Sequence, residues 1–272
     1  MKPHPFDYLR ADSVDEAIKI LAEHGDTARV LAGGQSLLAL LNLRLLEPAM
    51  LLDITGIPDL VNIREVDGKV EVGAAVTQNR LLAWPGLKEK LPLLAAALPF
   101  VGHFQTRNKG TVCGSVAHAD PSSEIPLSLA MLQGEVILRS LRGTRTVPAS
   151  EFQVGMLTTA RKPDELVTAV RFPVQASRRV AFREVARRHG DFAIVALAAI
   201  ADGSKIRLGV GGMADRPAIR EFPADSDVPD VINALAWECE GYEDMHASSR
   251  MRRDLLRRIG PVVIEEALQC AG

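Results

Sequence analysis

Apolar positions recur at helical spacing from the start of the chain. Val14, Ala17, Ile18 and Leu21 fall at the three- and four-residue intervals of one helix face, behind the capping-box pattern Ser13-Val14-Asp15-Glu16 and ahead of Gly25 as a stop. ARVLAGG then reads as a short buried strand ending in paired glycines. It is followed by QSLLALLNLRLL, helix formers throughout with a serine placed to cap them, and Pro48 ends that helix. MLLDI at 50–54 reads as a second buried strand, so 28–54 predicts a compact β-α-β unit.

From Gly56 the period changes to two. LVNIREVDGKVEVGAAV alternates around Asp67-Gly68, a type I′ hairpin signal, and GEVILRSLRGTRTVPASEF repeats the pattern around Arg142-Gly143. Helices are expected at 78–82, 91–98 and 123–132. Between the last two lies GHFQTRNKGTVCGSVAHADP, 102–121, too long and glycine-rich for a mere connection and expected as a structured binding loop. DELVTAVRFP reads as a strand closed by Pro173. Beyond it, strands in FREVARR, FAIVALAAIA and KIRLGVGGM precede two helices, over VPDVINALAWECEG and SSRMRRDLLRRIGPVVIEEALQCA, and predict a small α+β unit.

Composition narrows the function. A chain of 272 residues can bury a real core, and a net charge of -2 lacks the electrostatic footprint of a nucleic-acid binder. The N-terminus has no signal-peptide pattern, and the longest apolar run, 193–201, is too short to span a bilayer, so no transmembrane segment and a cytoplasmic location are expected. Cys113, Cys239 and Cys270 are odd in number and far apart. That argues against a disulfide framework, a zinc ribbon or an iron–sulfur cluster held by this chain alone, and leaves redox chemistry to an organic cofactor.

Four stretches carry candidate chemistry. In Leu31-Ala32-Gly33-Gly34-Gln35-Ser36-Leu37-Leu38 the glycines let backbone approach a ligand, and the N–H groups of the following helix suit a phosphate; an ordinary β-to-α turn is the plain alternative. In Thr106-Arg107-Asn108-Lys109-Gly110 and the following TVCGSVAHADPSSE, the hydroxyls of Thr111, Ser115, Ser122 and Ser123 and the glycines Gly110 and Gly114 are the parts of a polyanion cradle, with Glu124 free to accept from a ribose hydroxyl. Cys113, His118 and Asp120 are acceptable zinc ligands by type but have no obvious fourth. A lone Cys113 reads more readily as a small buried thiol than as a nucleophile. FREVARRHGDF places Phe192 after a Gly-Asp turn, where it can lie over a flat ligand, although an edge strand guarded by arginines has the same pattern. The arginines of SSRMRRDLLRRI form either a solvated face or a dock for an acidic partner.

In their order along the chain, LAGGQSLL, TRNKGTVCGSVAHADPSSEIP, the strand ending at Pro173 and FREVARRHGDFA resemble the FAD-binding medium subunit of molybdenum hydroxylases, the flavoprotein family of xanthine, carbon monoxide and N-heterocycle dehydrogenases. The resemblance covers essentially the whole chain. It implies an α+β architecture: a two-subdomain FAD-binding fold of the vanillyl-alcohol-oxidase (PCMH) type at 1–173, split near residue 55, and a C-terminal α+β domain at 174–272.

Carried over by position, it implies that Leu31, Ala32, Gly33, Gly34, Gln35, Ser36, Leu37 and Leu38, together with Thr111, Val112, Cys113, Gly114 and Ser115, embrace the FAD pyrophosphate. Glu124 would meet the adenosine ribose; Gly102, Val167, Arg183 and Phe192 would lie at the flavin ring. The family commonly writes two adjacent glycines where this chain has Cys113-Gly114, which demands a negative φ and side-chain room at Cys113.

The implied partners are a 2Fe–2S small subunit and a molybdopterin large subunit, assembled as a dimer of heterotrimers, with an external electron acceptor; peripheral attachment to the inner membrane through the complex is the alternative location. No residue of this chain would act on the substrate. The rival readings are a self-sufficient FAD oxidoreductase and a metal or redox sensor built on Cys113, His118 and Asp120.

Overall fold

The computed structural model describes residues 2–175 and 179–270. The chain begins with strand β1 (Asp7–Arg10), helix α1 (Val14–His24), β2 (Ala28–Leu31), α2 (Leu37–Asn42) and β3 (Met50–Asp53). Ser13 caps α1 by accepting the Glu16 N–H at 3.2 Å, while the Glu16 carboxylate reaches back to the Asp12 N–H at 2.7 Å. β1 and β2 flank β3 and both run parallel to it, so the expected β-α-β unit carries an additional strand, the polar DYLR, that alternation does not reveal.

The second helix differs from expectation in two ways. It is shorter than 35–46, and Ser36 makes no capping hydrogen bond, because its backbone is already helical (φ -91°, ψ -45°) rather than extended as an N-cap requires.

The middle of the chain supplies β4 (Ile63–Val66), β5 (Lys69–Gly73), α3 (Gln78–Leu82), α4 (Leu87–Lys90), α5 (Pro92–Ala97), α6 (Phe104–Lys109), α7 (Val112–His118) and α8 (Glu124–Met131). Then come β6 (Glu135–Ser140), β7 (Gly143–Pro148), α9 (Ala149–Phe152), the short pair β8 (Gln153–Gly155) and β9 (Thr158–Thr159), and β10 (Leu166–Pro173). These build an antiparallel sheet in the order β4-β5-β10-β6-β7. Asp67 and Gly68 both have positive φ, as a type I′ turn needs.

The stretch expected as a loop at 102–121 is mostly helical. α6 and α7 meet at Gly110-Thr111, and the Thr111 hydroxyl accepts the Gly114 N–H at 2.9 Å as the cap of α7. Cys113 therefore sits in the first turn of a helix, where φ is negative. It is 2% exposed, and its thiol donates to the Val72 carbonyl at 3.4 Å. The negative φ and side-chain room that the resemblance demands at Cys113 are thus both present.

The remaining residues form the antiparallel meander β11 (Val180–Val185), β12 (Val195–Asp202), β13 (Lys205–Gly211) and β14 (Ala218–Pro223), followed by α10 (Val228–Glu238) and α11 (Ser249–Gln269). β12 is buried on both faces. Ala196 and Ala198 belong to the core of the preceding region, whereas Val195, Leu197, Ala199 and Ala201 face the core shared with α10 and α11. Two-sided burial explains why AIVALAAIA reads as an unbroken apolar run rather than an alternating one.

Replacing Cys113 by glycine removes a buried side chain and loosens the first turn of α7. Cys113→Gly is expected to cost about 1–2 kcal/mol of stability, read as a lowered urea midpoint, with the circular dichroism of the folded state unchanged. An unaltered midpoint would contradict the buried helical placement.

Candidate functional site

A cleft of about 840 Å³ lies where five pieces of chain converge: the turn between β2 and α2, the junction of α6 and α7, the start of α8, the start of β10 and the segment 190–192. One of its contacts is between two backbones. A Cβ on Gly33 would stand 2.3 Å from the Lys109 carbonyl oxygen and 2.6 Å from the Gly110 Cα, so only glycine permits the first turn to lie against the second. Gly34 follows with φ +68°. The first intrahelical bond of α2 runs from Leu38 N–H to the Gly34 carbonyl at 3.0 Å, which leaves the N–H groups of Gln35, Ser36 and Leu37 without a helical acceptor.

The second turn is stapled to α3 and the residues before it. Gln78 N–H donates to the Gly110 carbonyl at 2.8 Å and Val112 N–H to the Val76 carbonyl at 3.1 Å, and Thr77 and Thr111 form an isolated bridge. Gln78 lines the cleft at 5% exposure, and its Oε1 is buried without a hydrogen-bond partner. An orphaned acceptor of this kind is what a donor on a bound molecule would satisfy.

The far side is shaped by loops. Gly190 (φ +86°) packs so tightly against Gly102 (φ +52°) that a Cβ there would be 2.9 Å from the Gly102 carbonyl carbon. Arg107 holds the other side of that contact, donating to the Val101 and Gly102 carbonyls at 2.9 and 2.7 Å. Beyond it Phe192 presents its ring to the cleft at 60% exposure. The register of β10 against β6 shifts between Val167 and Ala169, a bulge of the kind that re-aims a side chain, and Val167 lines the cleft there.

The charges here are those of buried acids. Glu124 opens α8 at 4% exposure; burial pushes its carboxyl up to about 7, Asp120 adds to the rise, and its own N–H and Arg107 act against it. Glu184 on β11 is pushed up to about 8, by burial first and by the Glu124 charge second, and its Oε2 has no partner. Arg29 and Arg161 also line the cleft, and burial, with the nearby Arg29 charge, lowers the Arg161 guanidinium.

Of the residues expected at a cofactor site, Ala32, Gly33, Gly34, Gln35, Ser36, Leu37, Gly102, Thr111, Cys113, Gly114, Ser115, Glu124, Val167 and Phe192 line this one cleft. Leu31, Leu38 and Val112 are in the same elements but do not line it. Arg183 is not brought there at all: it points to the opposite face of β11 and pairs with Glu266 of α11, with 2.8 Å between Nε and Oε2. Its neighbour Glu184 takes the inward face. Ser123 and Gly190, read from the sequence as a cradle hydroxyl and as part of the turn before Phe192, also line the cleft, whereas Gln78 and the inward-facing Glu184 were not singled out; the helix start Thr77-Gln78 was the available signal for the first of these two.

The zinc reading fails on placement. Among the described residues no three of His, Cys, Asp and Glu are grouped to hold a metal ion, and burial drives the Cys113 thiol up, away from the thiolate a metal needs. Among the described residues no helix is long and apolar enough to cross a membrane.

Residues 4–175 match the family model described as the FAD binding domain in molybdopterin dehydrogenase. Over its whole length the chain is 35% identical to the 6-hydroxypseudooxynicotine dehydrogenase complex subunit alpha of Paenarthrobacter nicotinovorans, covering 97% of that protein. It is also 35% identical to the glyceraldehyde dehydrogenase medium chain of Sulfolobus acidocaldarius, over 94% of this chain and 96% of that one. In three dimensions it is similar to a chain of carbon monoxide dehydrogenase from Hydrogenophaga pseudoflava, with a TM-score of 0.92 at 30% identity and full coverage of both. A chain of quinoline 2-oxidoreductase from Pseudomonas putida 86 gives 0.89 at 33% identity, with 99% of each covered. A family model spanning most of the chain, relatives matched end to end and a fold shared at that level together place this α+β protein: it belongs to the FAD-binding medium subunits of molybdenum hydroxylases and is an oxidoreductase subunit.

Proposed function

We propose that the chain binds FAD across the cleft and passes electrons from the 2Fe–2S clusters of a partner subunit to an external acceptor, while a molybdopterin subunit oxidises the substrate. The observation that carries this reading is the glycine-only contact of Gly33 with Lys109 and Gly110, which sets the free N–H groups of Gln35, Ser36 and Leu37 beside the α6–α7 junction. Gln35 to Leu37 suit the pyrophosphate, since unpaired helix-start N–H groups and the helix dipole favour an anion, and the Thr111 turn faces them as the opposite wall. Glu124 is placed to exchange a hydrogen bond with a ribose hydroxyl, and Phe192 and Val167 offer apolar surface to a flat ring. When bound, FAD supplies a centre able to take electrons singly and release them in pairs. The residues of this chain bind it, exclude water through the Gly102–Gly190 contact and set its hydrogen bonds.

The same reading assigns 1–173 to cofactor binding and 174–272 to covering it. The relatives' names, a nicotine-derivative dehydrogenase and an aldehyde dehydrogenase, support a small aldehyde or N-heterocycle as the substrate class of the complex. The relatives' names, a complex subunit alpha and a medium chain, support assembly with further subunits; on this reading they are an iron–sulfur and a molybdopterin subunit, in a dimer of heterotrimers in the cytoplasm.

Purified from its host, the protein is expected to carry close to one flavin, read from visible absorbance against protein, and to co-purify with two further subunits. Gly33→Ala is expected to keep the chain folded yet lose most of its flavin, because the added methyl group must part the two turns. A colourless wild type, or an alanine variant with full flavin, would sink the reading.

The buried acids set a pH dependence. A carboxyl whose pKa is raised on folding binds its proton more tightly in the folded chain, so its contribution to stability falls as pH rises from the unfolded value of 4.5 through the folded one. The urea midpoint of the cofactor-free chain is therefore expected to drop as pH is raised through about 7 and about 8, the values for Glu124 and Glu184. Glu184→Gln should flatten the upper part of that curve; an identical slope would show that Glu184 is not buried against Glu124.

A further inference from the structure

Arg252 of α11 lies outside the cleft at 1% exposure. Its guanidinium is used on all sides: Nη1 donates to the carbonyls of Ile194 and Gly212, the latter at 2.7 Å, Nε to the Tyr242 carbonyl at 3.1 Å, and Nη2 to Asp244 Oδ2 at 2.7 Å. The same group lies 4.1 Å from the centroid of the Tyr242 ring. Taking a guanidinium out of water is costly, and an apolar side chain would fill the space with less penalty. What the charge does here is tie particular carbonyls to one point.

Two of those carbonyls, of Ile194 and Gly212, belong to residues whose N–H groups hold the segments leading into the cleft. Ile194 N–H donates to the Val185 carbonyl at 2.7 Å and so shuts the base of the loop that carries Gly190 and Phe192. Gly212 (φ +78°) donates its N–H to the Pro121 carbonyl at 2.8 Å, and a Cβ on it would be 2.7 Å from the Ile194 carbonyl oxygen. Tyr242, whose ring lies under the guanidinium, shares a hydrogen bond of 3.1 Å between its hydroxyl and that of Ser122. Pro121 and Ser122 lead directly into Ser123 and Glu124, both of which line the cleft. Every link in this chain is buried or half-buried, and two of them, at Pro121 and Ser122, hold the same dipeptide from the side of α11.

We propose that Arg252 and Tyr242 are positioning residues for the cofactor: from outside the cleft they fix the 121–124 segment and the Phe192 loop relative to one another, and the Tyr242–Ser122 bond sets the place of Glu124. This rests on the cleft being the FAD site. Neither residue touches the cofactor; each acts through a segment that does.

The test uses the whole chain, freed of flavin and titrated with FAD. Tyr242→Phe keeps the ring under Arg252 and deletes one hydroxyl, and Ser122→Ala deletes its partner. Each is expected to raise the Kd for FAD about five-fold, the double variant no more than either alone, and Ser122→Thr to restore near wild-type affinity. The visible circular dichroism of the bound flavin should change in Tyr242→Phe, a signature that a merely stabilising contact would not move. Arg252→Lys, which keeps the charge but cannot reach all four acceptors, should weaken FAD at least as much; if it does not fold, the Tyr242→Phe result decides. Unchanged affinity and dichroism in Tyr242→Phe and Ser122→Ala, with only a lower unfolding midpoint, would overturn the assignment while leaving the cleft reading intact. A wild-type chain that takes up no FAD would overturn both.

Discussion

The cleft exists because two backbones touch where no side chain fits. Gly33 lies against Lys109 and Gly110 at a distance a single methyl group would abolish, and this contact brings the β2–α2 turn, from a parallel unit, to the α6–α7 junction, from an antiparallel one. Everything else at the site is referred to that meeting. The staple from Gln78 and Val112 holds the second turn in place, and the free N–H groups of the first turn are aimed by the helix that starts three residues later. An anion between the two turns would meet the free N–H groups of Gln35, Ser36 and Leu37, so binding there depends on main-chain geometry.

Around this polar centre the surroundings are poor in solvent. Glu124 and Glu184 are buried carboxyls held toward their neutral forms, and Gln78 and Glu184 each keep one oxygen without a partner. Unsatisfied polar atoms are rare in folded interiors, and the Gln78 oxygen is one at the cleft wall that a bound molecule could complete. The exposed ring of Phe192 at the cleft completes the same picture on the apolar side. A dinucleotide with phosphates, ribose hydroxyls and a flat ring system matches that sequence of surfaces.

Much of this was legible in the sequence, and what was not has physical causes. Period-two alternation and the Asp67-Gly68 turn marked the antiparallel sheet, because local twist and turn chemistry act on neighbouring residues. The helices at 104–109 and 112–118 were hidden by Gly110 and Gly114, which lower helix propensity; tertiary contacts with β10 and the Thr111 cap outweigh it. Arg183 and Glu184 illustrate a different limit. Alternation says that one of two adjacent residues faces inward, but which face packs on which core is decided by α11 and Glu266, eighty residues away in the chain. Orphaned atoms such as Gln78 Oε1 leave no sequence trace, since only the assembled cleft buries them.

The two-sided burial of β12 has a consequence for alignment of the C-terminal sheet. Its small residues Ala196 and Ala198 face the first core, and larger ones, Val195 and Leu197, face the second. The same side of β13 is also stripped down: a Cβ on Gly209 would collide with Met131, and Gly211 lies close to Pro121. A slip of one residue would therefore drive Val195 and Leu197 into a seam sized for alanine while leaving a void opposite, so both sides penalise the same error. The sheet can be set against α8 in one alignment, and that alignment locates the strand ends from which the loop bearing Phe192 departs.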